Sequence, residues 1–208
     1  MDQPPYASSH GSIDLASLWR DLRNGELYMA SSYYTDDLCS ATMEVRRRGK
    51  VPPTVALDVL ERVLGGEAQK VLALELGRAG PTIASYCGQA LRAICYEHNC
   101  ARAPILLVMA AMAARGARVP NARLERVLDD GSCVVSVAMP GSNLARRLSP
   151  GEWEVARAVI EGKSHAQIAG ARGTSLRTIA NQLASVFGKT GLYGCPALRA
   201  KAAIEGAS

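Results

Sequence analysis

Six polar side chains crowd into one short stretch near the end of the chain: Arg177, Thr178, Asn181, Gln182, Ser185 and Lys189. On a helix beginning at Ser175, the inner face is Ile179, Leu183, Val186 and Phe187, and the six fall on the opposite side. Such a set suits nucleic acid. The carboxamides of Asn181 and Gln182 can pair bidentately with adenine, and the Arg177 guanidinium with guanine or a phosphate. Hydroxyl and ammonium groups suit phosphate, so Ser164, Thr178 and Lys189, with the amides at helix starts, are expected to set register.

The elements that must position these groups are four helices between Leu148 and Ala203. Ser149 lies three residues before Glu152 and just ahead of Val155, Ala156, Val159 and Ile160, which predicts a capping box and an amphipathic helix ended by Gly162. A short helix then begins at Ser164, buries Ile168 and Ala169, and stops at Gly173, which is free to take the positive φ of a tight turn. Ser175 caps the next helix. Short helix, glycine turn and longer helix is the helix-turn-helix pattern, in which the second helix lies in a DNA major groove.

With these residues in place, the stretch resembles the LuxR-type (GerE-like) helix-turn-helix. The matching positions are Ser149-Pro150 and Glu152, Gly162 and Ser164, Ile168-Ala169, Gly173, Ser175, Thr178-Ile179, and Lys189 with Gly191, across about 56 residues. It departs from the family pattern at Arg172, usually a buried Leu, at Ala166, usually Lys, and at Gln182, usually His. Helix face and resemblance together give the expected DNA contacts Ser164, His165, Ser175, Arg177, Thr178, Asn181, Gln182, Ser185 and Lys189. The resemblance also puts base readers among Ala180, Asn181 and Ala184. Two of these three are Ala, so direct readout is expected to be thin, limited there to thymine methyls.

Charge is distributed to match. From Leu144 onward there are nine Lys/Arg against four Glu, and the preceding 143 residues carry fifteen of each sign, so the net +5 resides in the last third. A local basic excess is the electrostatic footprint of phosphate binding. A single Phe argues against a base-stacking single-strand binder. The longest apolar run, Ala103 to Ala114, contains Pro104 and has core-helix length, so no bilayer crossing is expected. Without a signal-peptide pattern the chain is expected to be cytoplasmic and nucleoid-associated. Six cysteines, none in a CxxC spacing, read as buried thiols, and Cys87, Cys95, His98 and Cys100 lack paired metal-ligand spacing.

An internal repeat organises the remainder. At an offset of 96 residues, Gly66 falls on Gly162, Leu72-Ala73 on Ile168-Ala169, Gly77 on Gly173, Thr82-Ile83-Ala84 on Thr178-Ile179-Ala180, and Leu91 on Phe187. Upstream, Tyr33 to Val45 and Arg126 to Met139 share β-favouring flanks, an Asp-Asp turn and a following Cys, and each follows an apolar helix, Asp14 to Arg23 or Ile105 to Arg115. The first copy is neutral: residues 51–110 hold five basic and five acidic side chains. Ser85, Tyr86, Cys87, Gly88 and Gln89 occupy its would-be recognition helix, which suits packing or dimerisation better than DNA.

The fold expected is mainly α with two short β-hairpins (α+β), in two tandem units. Residues 1–13 form a flexible tail; 14–104 are the first unit, its diverged helix-turn-helix at 52–100; 105–208 are the second, with a hairpin at 118–140 and the helix-turn-helix at 146–208. The function expected is a transcriptional regulator that binds double-stranded DNA as a homodimer, without metal or other cofactor. A second reading is an interaction module docking on RNA polymerase, a sigma factor or another regulator. Catalysis is not expected, because the three His are scattered and no G-x-S-x-G, P-loop or G-x-G-x-x-G run occurs.

Overall fold

The computed structural model describes residues 11–35, 37–46, 53–95, 103–127, 130–139 and 142–205. In the first half, β1 (Ser12–Ile13) leads to α1 (Leu15–Asn24), a hairpin of β2 (Leu27–Tyr34) and β3 (Leu38–Val45), and the helices α2 (Thr54–Leu64), α3 (Gln69–Glu75) and α4 (Gly80–Ile94). The second half follows with α5 (Ile105–Ala114), a hairpin of β4 (Ala122–Val127) and β5 (Cys133–Ala138), and a short α6 (Ser142–Arg146). Then come α7 (Pro150–Ile160), α8 (His165–Ala171), α9 (Leu176–Thr190) and α10 (Gly194–Glu205). The result is the mixed α+β fold expected from the sequence.

Local chemistry sets the helix ends. Asp14 accepts the amides of Ala16 and Ser17 to open α1, and Gly25 closes it at φ 76, a left-handed conformation that costs Gly nothing. The buried face of α1 carries Trp19, whose indole N–H donates to Glu61 Oε2 at 2.7 Å, while Arg23 reaches Asp58 at 2.6 Å. These bonds fasten α1 to α2. Helix α5 has no polar face: Ile105 through Met112 are all buried, so it can sit only in the interior, against α1, α2, α10 and β3.

The repeat is visible in the elements themselves. Helices α2, α3 and α4 have 11, 7 and 15 residues, and so do α7, α8 and α9. Gly66 and Gly162 end the leading helices at φ 95 and 86, and Gly77 and Gly173 both turn at φ 60. Upstream the offset is smaller: α5 begins and ends where α1 does if Leu15 is laid on Ile105. The second hairpin pairs out to Val127↔Cys133, while the first pairs out to Tyr34↔Cys39.

The two hairpins are not separate. They join through β3 and β5 into one antiparallel sheet of order β1-β4-β5-β3-β2. At this junction Ser40 pairs with Ser136, its own counterpart 96 residues later, and their buried hydroxyls lie 2.8 Å apart. Antiparallel pairing of equivalent residues creates a local two-fold axis between the copies. The two tandem copies thus share one sheet. Ser12 and Ile13, assigned to the tail by the sequence reading, form a strand: they pair with Arg123 and Ala122, and Ile13 is buried, because its apolar side chain reaches the core side of the edge strand. Residues 1–10, and Arg47 to Lys50 of the basic run, lie outside the described residues. Arg46 packs over the Tyr28 ring, 5.5 Å from its centroid.

The serine pair makes a testable unit. Ser40→Ala or Ser136→Ala leaves one buried hydroxyl without its partner and is expected to cost about 1–3 kcal/mol, whereas the double substitution removes both groups and costs less than the two singles summed. Urea unfolding of the three variants measures the coupling. Additive losses would contradict it.

Candidate nucleic-acid interface

Three polar caps hold α7, α8 and α9 in place. Ser149 Oγ accepts the Glu152 amide at 3.4 Å while Glu152 Oε2 accepts the Ser149 amide at 2.7 Å, which is the expected capping box. Ser164 and Gln167 form a second reciprocal pair, at 3.2 and 2.8 Å. Ser175 Oγ accepts the Thr178 amide at 3.1 Å and lies 2.9 Å from the Thr178 hydroxyl. Inside, Ile179, Leu183 and Val186 of α9 pack with Val155, Ala156 and Val159 of α7 and with Ile168 of α8, all buried.

Glu152 does more than cap. Only 8% exposed, it accepts from Ser185 Oγ at 2.6 Å and from Lys189 Nζ at 2.7 Å as well as from the Ser149 amide. The Lys189 ammonium, then the Ser185 hydroxyl and the Ser149 amide, hold its carboxyl down at about 2. Ser185 and Lys189 therefore tie the far end of α9 to the start of α7; Ser185 is half-buried there, whereas the Lys189 side chain stays 47% exposed. A carboxylate in an apolar seam draws nearby donors, because an uncompensated buried charge is costly.

Gln182 is also drawn in. It is half-buried beside Gly151, with its Oε1 shielded and without a hydrogen-bond partner among the described residues. Arg172 folds back to pair with Glu154 of α7. His165, half-buried at the start of α8, has its Nε2 3.8 Å from Cys195 Sγ.

The remaining expected groups stay outside. Arg177, Asn181, Ala184 and Gly188 are exposed at successive three- and four-residue steps along α9, with Ala180 beside them, and Thr178 and Ser175 are exposed at its first turn. Ser164 is half-buried at the start of α8. The open stripe thus has two long polar side chains, Arg177 and Asn181, separated by small residues. All four Glu of this region are engaged: Glu152 by Lys189, Glu154 by Arg172, Glu161 by Arg157 and Lys163, and Glu205 by Lys201. Arg146, Arg147 and Arg177 stay exposed. The sequence reading counted Arg147 only in the charge excess; its Nη2 donates to the Lys189 carbonyl at 3.0 Å, next to the C-terminus of α9.

The same positions of the first copy differ in chemistry. Helix α4 opens at Ala79 without a side-chain cap, and Pro81, Ala84, Ser85, Gly88 and Arg92 stand where α9 has Arg177, Ala180, Asn181, Ala184 and Gly188. Beside it α3 exposes Val71 and Leu74, and its C-cap Leu76 is exposed too, with Leu74 84% exposed. The second copy presents Arg177 and Asn181 near the start of α9, where the first has Pro81 and Ser85; exposed hydrocarbon is added in the first copy by α3 and its C-cap.

The fold and the site together define a tandem-repeat α+β protein with two unlike three-helix units on one sheet. No family model, no curated protein and no solved structure matches the chain. Among the described residues no helix is long and apolar enough to cross a membrane.

Because the Glu152 carboxyl is held below its ordinary 4.5, its bonds contribute stability in full above that pH and lose it as pH falls toward about 2. Thermal melts from about pH 6 down to about 2 should show this acid limb in the native chain and a shallower one in Glu152→Gln. Parallel acid limbs would contradict the assignment.

Proposed function

We propose that this chain is a DNA-binding transcriptional regulator of the LuxR (GerE-like) helix-turn-helix type, reading duplex DNA with α9. One observation carries the reading: α9 presents Arg177 and Asn181 to solvent on a stripe of small residues, next to a helix start capped by Ser175. Small side chains allow the helix axis to approach base edges closely, Asn181 supplies an adenine-pairing amide, and Arg177 reaches guanine or phosphate. Thr178, Ser175 and Ser164 sit at the two helix starts where amides and hydroxyls meet phosphate. Ser185 and Lys189 support this arrangement from behind, through Glu152. A single reading unit covers one short half-site, so two chains on a palindromic duplex belong to the same proposal.

In-vitro selection from random duplexes, followed by binding at several salt concentrations, tests it. Affinity should fall linearly on logarithmic axes with a slope of about −0.9 per phosphate neutralised. Arg177→Ala and Asn181→Ala should each weaken the selected duplex by about ten- to a hundredfold, while Lys189→Ala chiefly lowers thermal stability. No salt-sensitive duplex association would overturn the reading.

A second reading, docking on a protein such as RNA polymerase, is favoured by the exposed Val71 and Leu74 of α3 and Leu76 at its C-cap. Leu74→Asp should then abolish binding to purified RNA polymerase and leave duplex binding unchanged. Equal polymerase binding by both forms would remove this reading.

A further inference from the structure

A cavity of about 690 Å³ opens where α10 crosses the first copy. Among the described residues, Leu60 and Val63 from α2, Leu91 from α4 and Val108 from α5 give it apolar walls, and Cys195 at the start of α10 lines the same space. Tyr193, 89% exposed, also lines it, which leaves the space open to solvent on that side. The volume lies within the range of sites for small organic ligands, about 300–1,000 Å³.

The Cys195 thiol stands apart from the core thiols. Cys39, Cys87, Cys95 and Cys133 are buried, whereas Cys195 is half-buried, and Cys100 lies outside the described residues. Burial pushes the Cys39 and Cys87 thiols up to about 11, which keeps both protonated and poorly nucleophilic at neutral pH. Cys195 has a different neighbour. Its Sγ lies 3.8 Å from His165 Nε2, within hydrogen-bonding reach for sulfur, and it sits in the first turn of a helix of 12 residues. An imidazole can take a thiol proton near neutral pH, and a helix start favours the thiolate that results. Nucleophile, base and apolar space meet at one place, and together they suit a soft electrophile that carries a hydrocarbon chain.

We propose that Cys195 is a covalent capture site for aliphatic α,β-unsaturated ketones, with the hydrocarbon against Leu60, Val63, Leu91 and Val108. The step balances without a redox partner. His165 Nε2 accepts the Sγ proton, sulfur bonds to the alkene β-carbon as the C=C π pair moves onto the enolate, and the imidazolium returns the proton to the α-carbon. The product is a thioether, and nothing is oxidised, reduced or expelled. His165 opens α8, so the adduct would stand between the cavity of the first copy and the helix-turn-helix of the second. The inference is independent of DNA binding.

Treating the full chain at neutral pH with limiting oct-1-en-3-one, and separately with but-3-en-2-one, tests it, with peptide mapping by mass spectrometry and glutathione as the rate reference. Relative to glutathione, Cys195 should take up the octenone at least about tenfold faster than the butenone, because the cavity removes the longer chain from water. Leu91→Trp and, separately, Val63→Trp fill the cavity and should each cut that preference at least about threefold while the butenone still reacts. His165→Asn should slow capture of both ketones at least about tenfold and move the pH dependence of the rate up to that of an ordinary thiol. If a filled variant does not fold, the two-ketone comparison on the native chain still decides the role of the cavity. Equal corrected rates for the two ketones, first modification at a cysteine other than Cys195, or native rates in folded His165→Asn would overturn the proposal.

Discussion

The pairing of β3 with β5 is the constraint on which the rest of this molecule depends. Ser40 and Ser136 are counterparts in the repeat, and placing them opposite each other makes one copy's hairpin the neighbour the other needs. A two-stranded hairpin is marginal alone, but five strands backed by the wholly apolar α5 bury a continuous core. The three-helix units are thereby carried by a common frame. They can then diverge on their outer surfaces without losing their foundation.

Divergence follows a simple physical division. In the second copy, donors converge on the buried Glu152 from Ser149, Ser185 and Lys189, so one carboxylate ties α7 to α9, while Arg177 and Asn181 stand exposed on the opposite side of α9. In the first copy the matching residue is Ala56, fully buried, and α2 is held instead by Trp19 and Arg23 through Glu61 and Asp58. Inside the first unit, Arg62 of α2 pairs with Glu67 and with Glu75 of α3. The first copy faces solvent with hydrocarbon on α3, the second with Arg177 and Asn181 on α9.

Much of this was legible in the chain because local rules were strong. Gly66, Gly77, Gly162 and Gly173 mark backbone turns that favour glycine, and between them the core positions recur at helical spacing, so helices and repeat could be read together. The capping box at Ser149 needed only a three-residue spacing. What could not be read was long-range: nothing in β3 or β5 alone states that they pair, and the short Ser12–Ile13 strand has too few residues to show a period. The site showed the same limit. Helical geometry placed Arg177, Asn181 and Lys189 on the exposed side, but Gln182 and Ser185 lie on the flank of the buried stripe, and for Ser185 and Lys189 the neighbouring Glu152 carboxylate decides which way the side chain turns. A signal was present, since a capping Glu followed by a helix ending in Lys offers an ion pair. Arg172 in an apolar position similarly called for a partner, which Glu154 supplies.

The central claim is that the later copy presents a helix face able to lie against a duplex and the earlier copy does not. Amide chemical-shift mapping of the isotope-labelled full chain with a duplex obtained by selection tests this most directly. The account predicts shifts concentrated from Ser175 to Gly188, with the α4 amides from Gly80 to Ile94 unmoved. Shifts centred on α4, or a duplex that leaves α9 silent, would contradict it.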